Sequence, residues 1–298
     1  RLAFRDRLFH AAMTGFINYQ KVLIVGLGMI GGSYAQKLSA LGFEVGALAR
    51  RQETLDYALE KGFIAHGRLE VTRDYVSQFD LVVSALYPKA FVDWVEKYQD
   101  YLKSGAVITD VTGVKRAVVP AVQGMLRPDL EFVPAHPMAG RERSGVEYAD
   151  CHVFADANFI ITPTERNTPE GIELVRTLGC ILGFRHIAVL SPEAHDEMIG
   201  FLSQLTHCIA VALMDCKESE HLAEYTGDSF RDLTRIARIN ENMWTELFLE
   251  NRDELLRQMD LFLDKFSQLR DALAAKDEDT MKEMMRLSSY RRSFFDKK

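Results

Sequence analysis

No proline follows Pro192 in this 298-residue chain, and its four cysteines never fall into the CxxC spacing of a metal or redox site. Cys151, Cys180, Cys208 and Cys216 therefore read as reduced packing residues, which implies a cytoplasmic setting and no metal. An excess of positive charge is also missing. Lys and Arg total 36 against 43 Asp and Glu, a net charge of −7, which argues against nucleic acid as a partner. No apolar run reaches the roughly 20 residues that cross a bilayer, so no membrane association is expected. The opening Arg1–Gln20 has basic residues but no apolar core and no small-residue cleavage site, so it does not read as a secretory signal. It is expected to be an N-terminal extension, with Met13 as a natural start and residues 1–12 as an expression remnant. The remaining composition, 47 % apolar and 27 % charged, is that of a soluble globular protein long enough for two domains.

What is present from Lys21 onward is an alternation of short apolar runs with helical stretches. Val22–Val25 is too short for a helix and too apolar for a loop. Ser33–Leu41 reads as a helix stopped by Gly42, Phe43–Ala49 as a second strand, and Glu53–Lys61 as a helix ended by Gly62. Leu81–Ala85, the helix Ala90–Tyr101 and the strand Ala106–Thr109 continue the rhythm, and strands at Asn158–Thr162 and His186–Val189 extend it. Such βαβ repetition implies an α/β fold with a mostly parallel, doubly wound sheet of the Rossmann type.

Gly26-Leu27-Gly28-Met29-Ile30-Gly31 lies between the first strand and the first helix. A GxGxxG at that position carries weight that a lone one lacks. Its first glycine permits the tight turn, the second admits a pyrophosphate, and the third lets helix and sheet pack, with the helix N-terminus attracting the phosphate charge. The second strand ends not on the acid that usually holds an adenosine ribose but on Ala49-Arg50-Arg51. Guanidinium groups bind a 2′-phosphate that a carboxylate would repel, so NADP is the preferred cofactor, with NAD possible. Ser84 and Asp110, on and just after flanking strands, are assigned to the same cofactor cleft.

The run Pro134-Ala135-His136-Pro137-Met138-Ala139-Gly140 follows the apolar Glu131–Val133, which reads as a buried strand. A histidine is thus delivered at a strand end, where α/β folds place their chemistry. Pro137 forces His136 into extended backbone and Gly140 lets the loop turn away. Such an imidazole is suited to proton exchange near neutral pH.

Ser191-Pro192-Glu193 is a helix start, with a capping serine, proline at the first position and an acid in the first turn. Everything after it reads as helical. The expected organisation is therefore an extension over 1–20, a dinucleotide-binding domain over 21–190 and a helical domain over 191–298. Asp196, Gly200, Ser203 and His207 fall on one helical face with Gln204 beside them, a polar and small stripe expected to face a wet cleft. Arg231 and Arg235 are one turn apart with Asp232 between them. Apolar neighbours Phe230, Leu233, Ile236 and Trp244 suggest that the segment is at least half buried, so an anion clamp oriented by Asp232 is the functional reading and a solvated charged face the other. The amphipathic stretches Met243–Leu273 and Thr280–Phe295 carry more apolar surface than a helical domain without a sheet can cover, which motivates a homodimer through these helices.

Together these residues resemble the prephenate/arogenate dehydrogenase family of tyrosine biosynthesis. The resemblance rests on the Gly26–Gly31 turn, Asp110-Val111-Thr112-Gly113-Val114-Lys115, the run from His136 to Arg141 and Glu142, Ser203–His207, and Phe230–Arg235 followed by Met243-Trp244. It implies a Rossmann domain joined to an all-helical dimerisation domain. It also implies oxidative decarboxylation of prephenate to 4-hydroxyphenylpyruvate, with hydride leaving C4 for NAD(P). His136 matches the histidine that hydrogen-bonds the 4-hydroxyl, Arg235 the arginine that binds a substrate carboxylate, and His207 a second substrate contact. Gly113 stands where the family often has a serine beside the catalytic histidine, and Thr112 offers the nearest hydroxyl. Gln204 replaces the first histidine of the helix motif and carries no charge.

Arogenate bears an amino group that an acidic residue would recognise. Neutral Gln204 favours prephenate, with arogenate as the alternative. A β-hydroxyacid dehydrogenase would need a lysine on the first interdomain helix, and residues 191–216 contain none. A non-catalytic nucleotide-binding regulator is the remaining alternative, encouraged by Gly113.

Overall fold

The computed structural model describes residues 19–139, 144–218 and 220–296. The expectations for residues 1–18, for Gly140 and for Arg141 and Glu142 lie outside the described residues.

Strand residues alternate between two cores. Val22, Ile24, Val45, Ala47, Leu81 and Val83 point to one, whereas Leu23, Val25, Leu48, Val82 and Ile108 point to the other. This period of two, with both faces apolar, is what a sheet covered by helices on each side requires. The sheet is parallel, with β1 (Lys21–Val25), β2 (Glu44–Leu48), β3 (His66–Arg68), β4 (Leu81–Ser84), β5 (Val107–Asp110) and β6 (Glu131–Phe132) in the order β3-β2-β1-β4-β5-β6. Helices α1 (Met29–Ala40) and α2 (Gln52–Glu60) cover the first face through Tyr34, Leu38 and Leu55. On the other face lie α3 (Arg73–Val76), α4 (Pro88–Tyr98) and α5 (Val118–Met125), with Tyr75, Phe91, Val95 and Val119 buried. The order reverses direction between β1 and β4, so a cleft opens above the turn that follows β1.

Two details differ from the sequence reading. The strand β3 was not foreseen, because His66-Gly67-Arg68 carries no apolar residue. His136 does not sit in a loop beyond β6 but within a strand of its own, β7 (Ala135–Met138). That strand pairs antiparallel with β8 (Asn158–Ile161), His136 opposite Ile160, and β8 pairs parallel with β9 (His186–Val189). The later strands thus build a second, three-stranded sheet rather than widening the first, and α6 (Pro169–Leu182) packs beside it.

The helical half starts as its sequence demands. The Ser191 side chain accepts from the Ala194 N–H, and Pro192 opens α7 (Pro192–Ile199). The helix then widens to a π-helical stretch over Gly200–Leu205 before continuing as α8 (Thr206–Asp215). The whole run, Pro192–Asp215, is long and apolar enough to cross a membrane by length and composition, which corrects the expectation that no such run exists. It buries Ile199, Leu205 and Ala210 but leaves Phe201, Leu202 and Val211 exposed. Next come α9 (Asp228–Thr234), α10 (Glu241–Glu250), α11 (Arg252–Ala275) and α12 (Glu278–Arg292). The stretch Met243–Leu273 is therefore two helices, separated at Asn251.

Candidate active site

The turn after β1 fits a dinucleotide. Gly26 has φ +96°, in the left-handed region that favours glycine. A Cβ on Gly31 would lie 2.0 Å from the Gly26 carbonyl oxygen, so helix and turn touch as closely as backbone allows. Around Gly28 the space is open. Gly28 caps α1 without a side-chain hydrogen bond, and no acid lies in the first turn, so the helix-terminal N–H groups remain suited to an anion. Leu27 and Met29 are buried beneath the turn, and Ile30 packs against the core from the side. Ser84 is fully buried at the end of β4, and its Oγ has no hydrogen-bond partner among the described residues. Arg50 and Arg51 are exposed just beyond β2. The register pairs Leu48 with Arg68, so the unforeseen β3 brings a third guanidinium to the same sheet edge.

Asp110 and Thr112 are both buried. Asp110 is fully buried, and its carboxylate accepts from the Lys115 ammonium at 2.7 Å, the Ala135 N–H at 3.0 Å and the Thr112 N–H at 3.1 Å. The Thr112 hydroxyl also bonds this carboxylate and accepts from Lys115 at 3.2 Å. Lys115, fully buried, donates to the Ala135 carbonyl at 2.6 Å. Burial lowers the Lys115 pKa, opposed by the Asp110 charge. The cluster joins the end of β5 to the start of β7, one residue before His136. Of the expected site residues, Asp110 and Thr112 thus have their side chains taken up by hydrogen bonds inside the protein.

His136 is only partly accessible. Its Nδ1 lies 2.8 Å from Nε2 of His195, and Nδ1 of His195 lies 2.7 Å from the Asp196 carboxylate. His195 and Asp196, both fully buried on α7, come from the helical half. The Asp196 carboxylate reaches back, accepting from the Lys115 N–H at 2.9 Å and the Arg116 N–H at 2.8 Å. Burial holds the His136 pKa well below the ordinary histidine value, helped by the neighbouring His195 and Lys115 charges. His195 is lowered by burial too, against the pull of Asp196. A pKa lowered in this way favours the unprotonated imidazole, the form in which a base acts. A Cβ on Gly113 would lie 3.7 Å from His136 Nε2 and 3.5 Å from Leu247 of α10, so this glycine borders the free nitrogen and a side chain there has room.

The polar stripe on the interdomain helix does not face one wet cleft. Asp196 is taken up at the domain joint, and Gly200 packs against Asn251, Glu254 and Gln258. Gln204 is buried, accepting from Asn251 at 2.7 Å and donating to the Leu247 carbonyl at 2.9 Å. The π-helical stretch rotates the residues after it off the face that regular spacing predicts. His207, half-buried on α8, donates through Nδ1 to the Ser203 carbonyl and stacks on Trp244 with ring centroids 3.7 Å apart. Arg235 opens a short turn, Arg235–Ala237, that packs against α8, the helix that carries His207. The segment is more open than expected, with no residue of α9 buried. Arg231 is held by Asp228 and the Thr226 carbonyl, and Asp232 is exposed.

His195, Lys115 and Arg68 were missed by sequence reasoning. The adjacent pair His195-Asp196 behind a strong helix start was the available signal for the first.

The nucleotide-binding domain model of prephenate dehydrogenase matches residues 35–186, and the dimerization domain model matches residues 191–287. The chain belongs to the prephenate dehydrogenase family. Cyclohexadienyl dehydrogenase of Zymomonas mobilis is 29% identical over 272 residues, covering 89% of this chain and 92% of that protein. Prephenate dehydrogenase of Bacillus subtilis is 28% identical over 274 residues, covering 87% and 72%. Among solved structures, prephenate dehydrogenase from A. aeolicus in complex with hydroxyphenyl propionate and NAD+ is similar, with a TM-score of 0.85 at 30% identity, covering 93% of this chain and 98% of that one. The family membership makes this chain a dehydrogenase with a nucleotide-binding domain and a helical domain of the dimerization type.

Proposed function

We propose that this chain converts prephenate to 4-hydroxyphenylpyruvate, releasing CO₂ and passing hydride to NADP, as a soluble cytoplasmic homodimer. The observation that carries the reading is the Nε2 of His136, which has no hydrogen-bond partner among the described residues and lies beside Gly113, itself a neighbour of Leu247 of the helical half. A bound nicotinamide supplies the hydride acceptor. Gly26, Gly28, Gly31 and the start of α1 would hold its pyrophosphate, and Arg50, Arg51 and Arg68 a 2′-phosphate. As hydride leaves C4, the hydroxyl on that carbon becomes a carbonyl and must lose its proton. His136, neutral and with a lone pair on Nε2, takes it. Arg235 and His207 hold the side-chain carboxylate end, and Trp244 fixes the His207 ring from below. As CO₂ leaves, the electron pair of the broken C–C bond aromatises the ring and passes to the C4 oxygen, which takes the proton back from His136 to give the phenol, and aromatisation makes the step effectively irreversible.

Gln204 is tied to Leu247 and Asn251, so the choice of prephenate over arogenate is read directly from turnover. One spectrophotometric assay crosses prephenate and arogenate with NADP and NAD. The expected result is the highest kcat/KM for prephenate with NADP. A tenfold advantage for arogenate would reverse the substrate assignment. Tight cofactor binding without reduction in any combination would instead indicate a nucleotide-binding regulator. His136→Asn is expected to keep cofactor binding and lose about two to four orders of magnitude in kcat.

A further inference from the structure

The protein's two halves meet at Asp196. One carboxylate accepts from two successive backbone N–H groups, those of Lys115 and Arg116, and from the His195 ring. The Asp196 carbonyl also accepts from Asn251 at 3.0 Å. The bonds to Lys115, His195 and Asn251 are buried and the one to the Arg116 N–H is half-buried, so the side chain is held in one orientation. A carboxylate only accepts hydrogen bonds, so the His195 nitrogen facing it carries a proton. The other nitrogen of a neutral His195 then accepts, and the His136 nitrogen 2.8 Å away must donate to it. The chain of constraints ends at His136 Nε2, which is left with a lone pair.

From this geometry we infer that His195 and Asp196 are positioning residues that fix His136 in its Nδ1–H tautomer and aim the bare Nε2 at the substrate hydroxyl. The inference rests on the reading of His136 as the base. It goes further in making the tautomer a property of the domain joint, because the anchoring carboxylate belongs to the helical half and its backbone donors to the dinucleotide-binding half. A neutral histidine left free would divide between two tautomers, and the one protonated at Nε2 cannot act as the base.

The test uses the full-length protein labelled with ¹⁵N-histidine, in three forms: wild type, Asp196→Asn and His195→Gln. His195→Gln leaves the Asp196 clamp on Lys115 and Arg116 in place, so it reports even if Asp196→Asn weakens the fold. NMR of the wild type is expected to show His136 protonated at Nδ1 and bare at Nε2. In each folded variant a mixture of tautomers should appear, with kcat falling about 10- to 1,000-fold and the prephenate KM staying within about threefold. A wild-type His136 protonated at Nε2, or an unchanged kcat in His195→Gln, overturns the assignment. If His136→Asn retains full rate while the tautomer signals behave as stated, the base reading fails and the positioning role stands.

Discussion

His136 of the second sheet and His195 of the first interdomain helix, 59 positions apart in the chain, meet ring to ring with Nδ1 and Nε2 2.8 Å apart. Both are kept neutral chiefly by burial, although Asp196 pulls His195 the other way. This pairing bears on the pH dependence of both rate and stability. A base works when unprotonated, so the acid limb of kcat/KM is expected well below the ordinary histidine range, with a flat profile through neutrality. Stability depends on the same groups. The unfolded chain binds protons on these imidazoles at a higher pH than the folded one, so stability falls as pH drops through the ordinary histidine value and continues to fall towards the folded pKa values. Thermal melts and rate profiles over the same pH series check both; an acid limb centred at the ordinary value would contradict the enclosed geometry.

The buried ion pair of Lys115 and Asp110 is expected to be costly to break. Both side chains are fully buried, and their charged atoms are 2.7 Å apart. Lys115→Met leaves the Asp110 charge with only neutral donors, which should cost about 3–5 kcal/mol and lower Tm by roughly 10 °C. Adding Asp110→Asn to that variant removes the stranded charge and should recover part of the loss. Calorimetry on the two variants reads this, and equal melting temperatures for wild type and Lys115→Met would show that the pair does not hold β5 to β7.

How far the sequence carried this fold can be judged from single elements. The alternation of Val22 and Ile24 with Leu23 and Val25 marks a two-sided strand, and the Ser191-Pro192 start marks the helical half, because local pattern decides both. The strand His66–Arg68 has no such pattern and exists because β2 offers it an edge. Within the site, Gly26, Gly31 and His136 were legible from motif and position. His195 was not, since the pair His195-Asp196 marks a candidate but only the fold brings His136, 59 positions away, to it. Asp110 and Thr112 look like site residues because they follow a strand, but the buried Lys115 turns them inward. The openness of Arg231 and Asp232 was illegible because apolar neighbours such as Leu233, 54% exposed, stay uncovered in a single chain.

Cofactor choice is expected to lie in the exposed arginines beyond β2. Arg50→Ala should lower the ratio of NADP to NAD efficiency by about tenfold or more, the loss of one charge-assisted contact. Arg68→Ala should act in the same direction, more weakly, because that side chain also lies over the Tyr75 ring at 5.5 Å. Steady-state kinetics with each cofactor measures the ratio; a constant ratio in both variants would place the preference elsewhere.

Substrate anchoring should separate from chemistry. Arg235→Ala removes a contact made equally to the ground state and the transition state, so KM for prephenate is expected to rise by about 10- to 100-fold with kcat little changed. Trp244→Ala should raise KM as well, by freeing the His207 ring that it stacks against. Unchanged KM in Arg235→Ala would shift the anion-binding role to Arg231.

A single chain leaves much apolar surface of its helical half open. On α11, Leu263 and Phe266 are 55% and 60% exposed; Tyr290 of α12 and Phe294 just beyond it are 64% and 67% exposed. Phe201 on the interdomain helix is 55% exposed. Residues at such spacing along helices matched by a dimerization domain need a cover, and a second copy presents the same faces by symmetry. Light scattering at micromolar concentration should give a mass of twice 33.9 kDa. Phe266→Asp puts a charge on α11, far in sequence from His136, and should shift the mass towards one chain if that face is the interface. Activity should fall with the loss of the dimer if α8 and the Arg235 turn rely on the partner for support, because the interdomain helix that carries His207 also carries exposed Phe201 and Val211. A single-chain mass for the unmodified protein would remove the dimer from the proposed function.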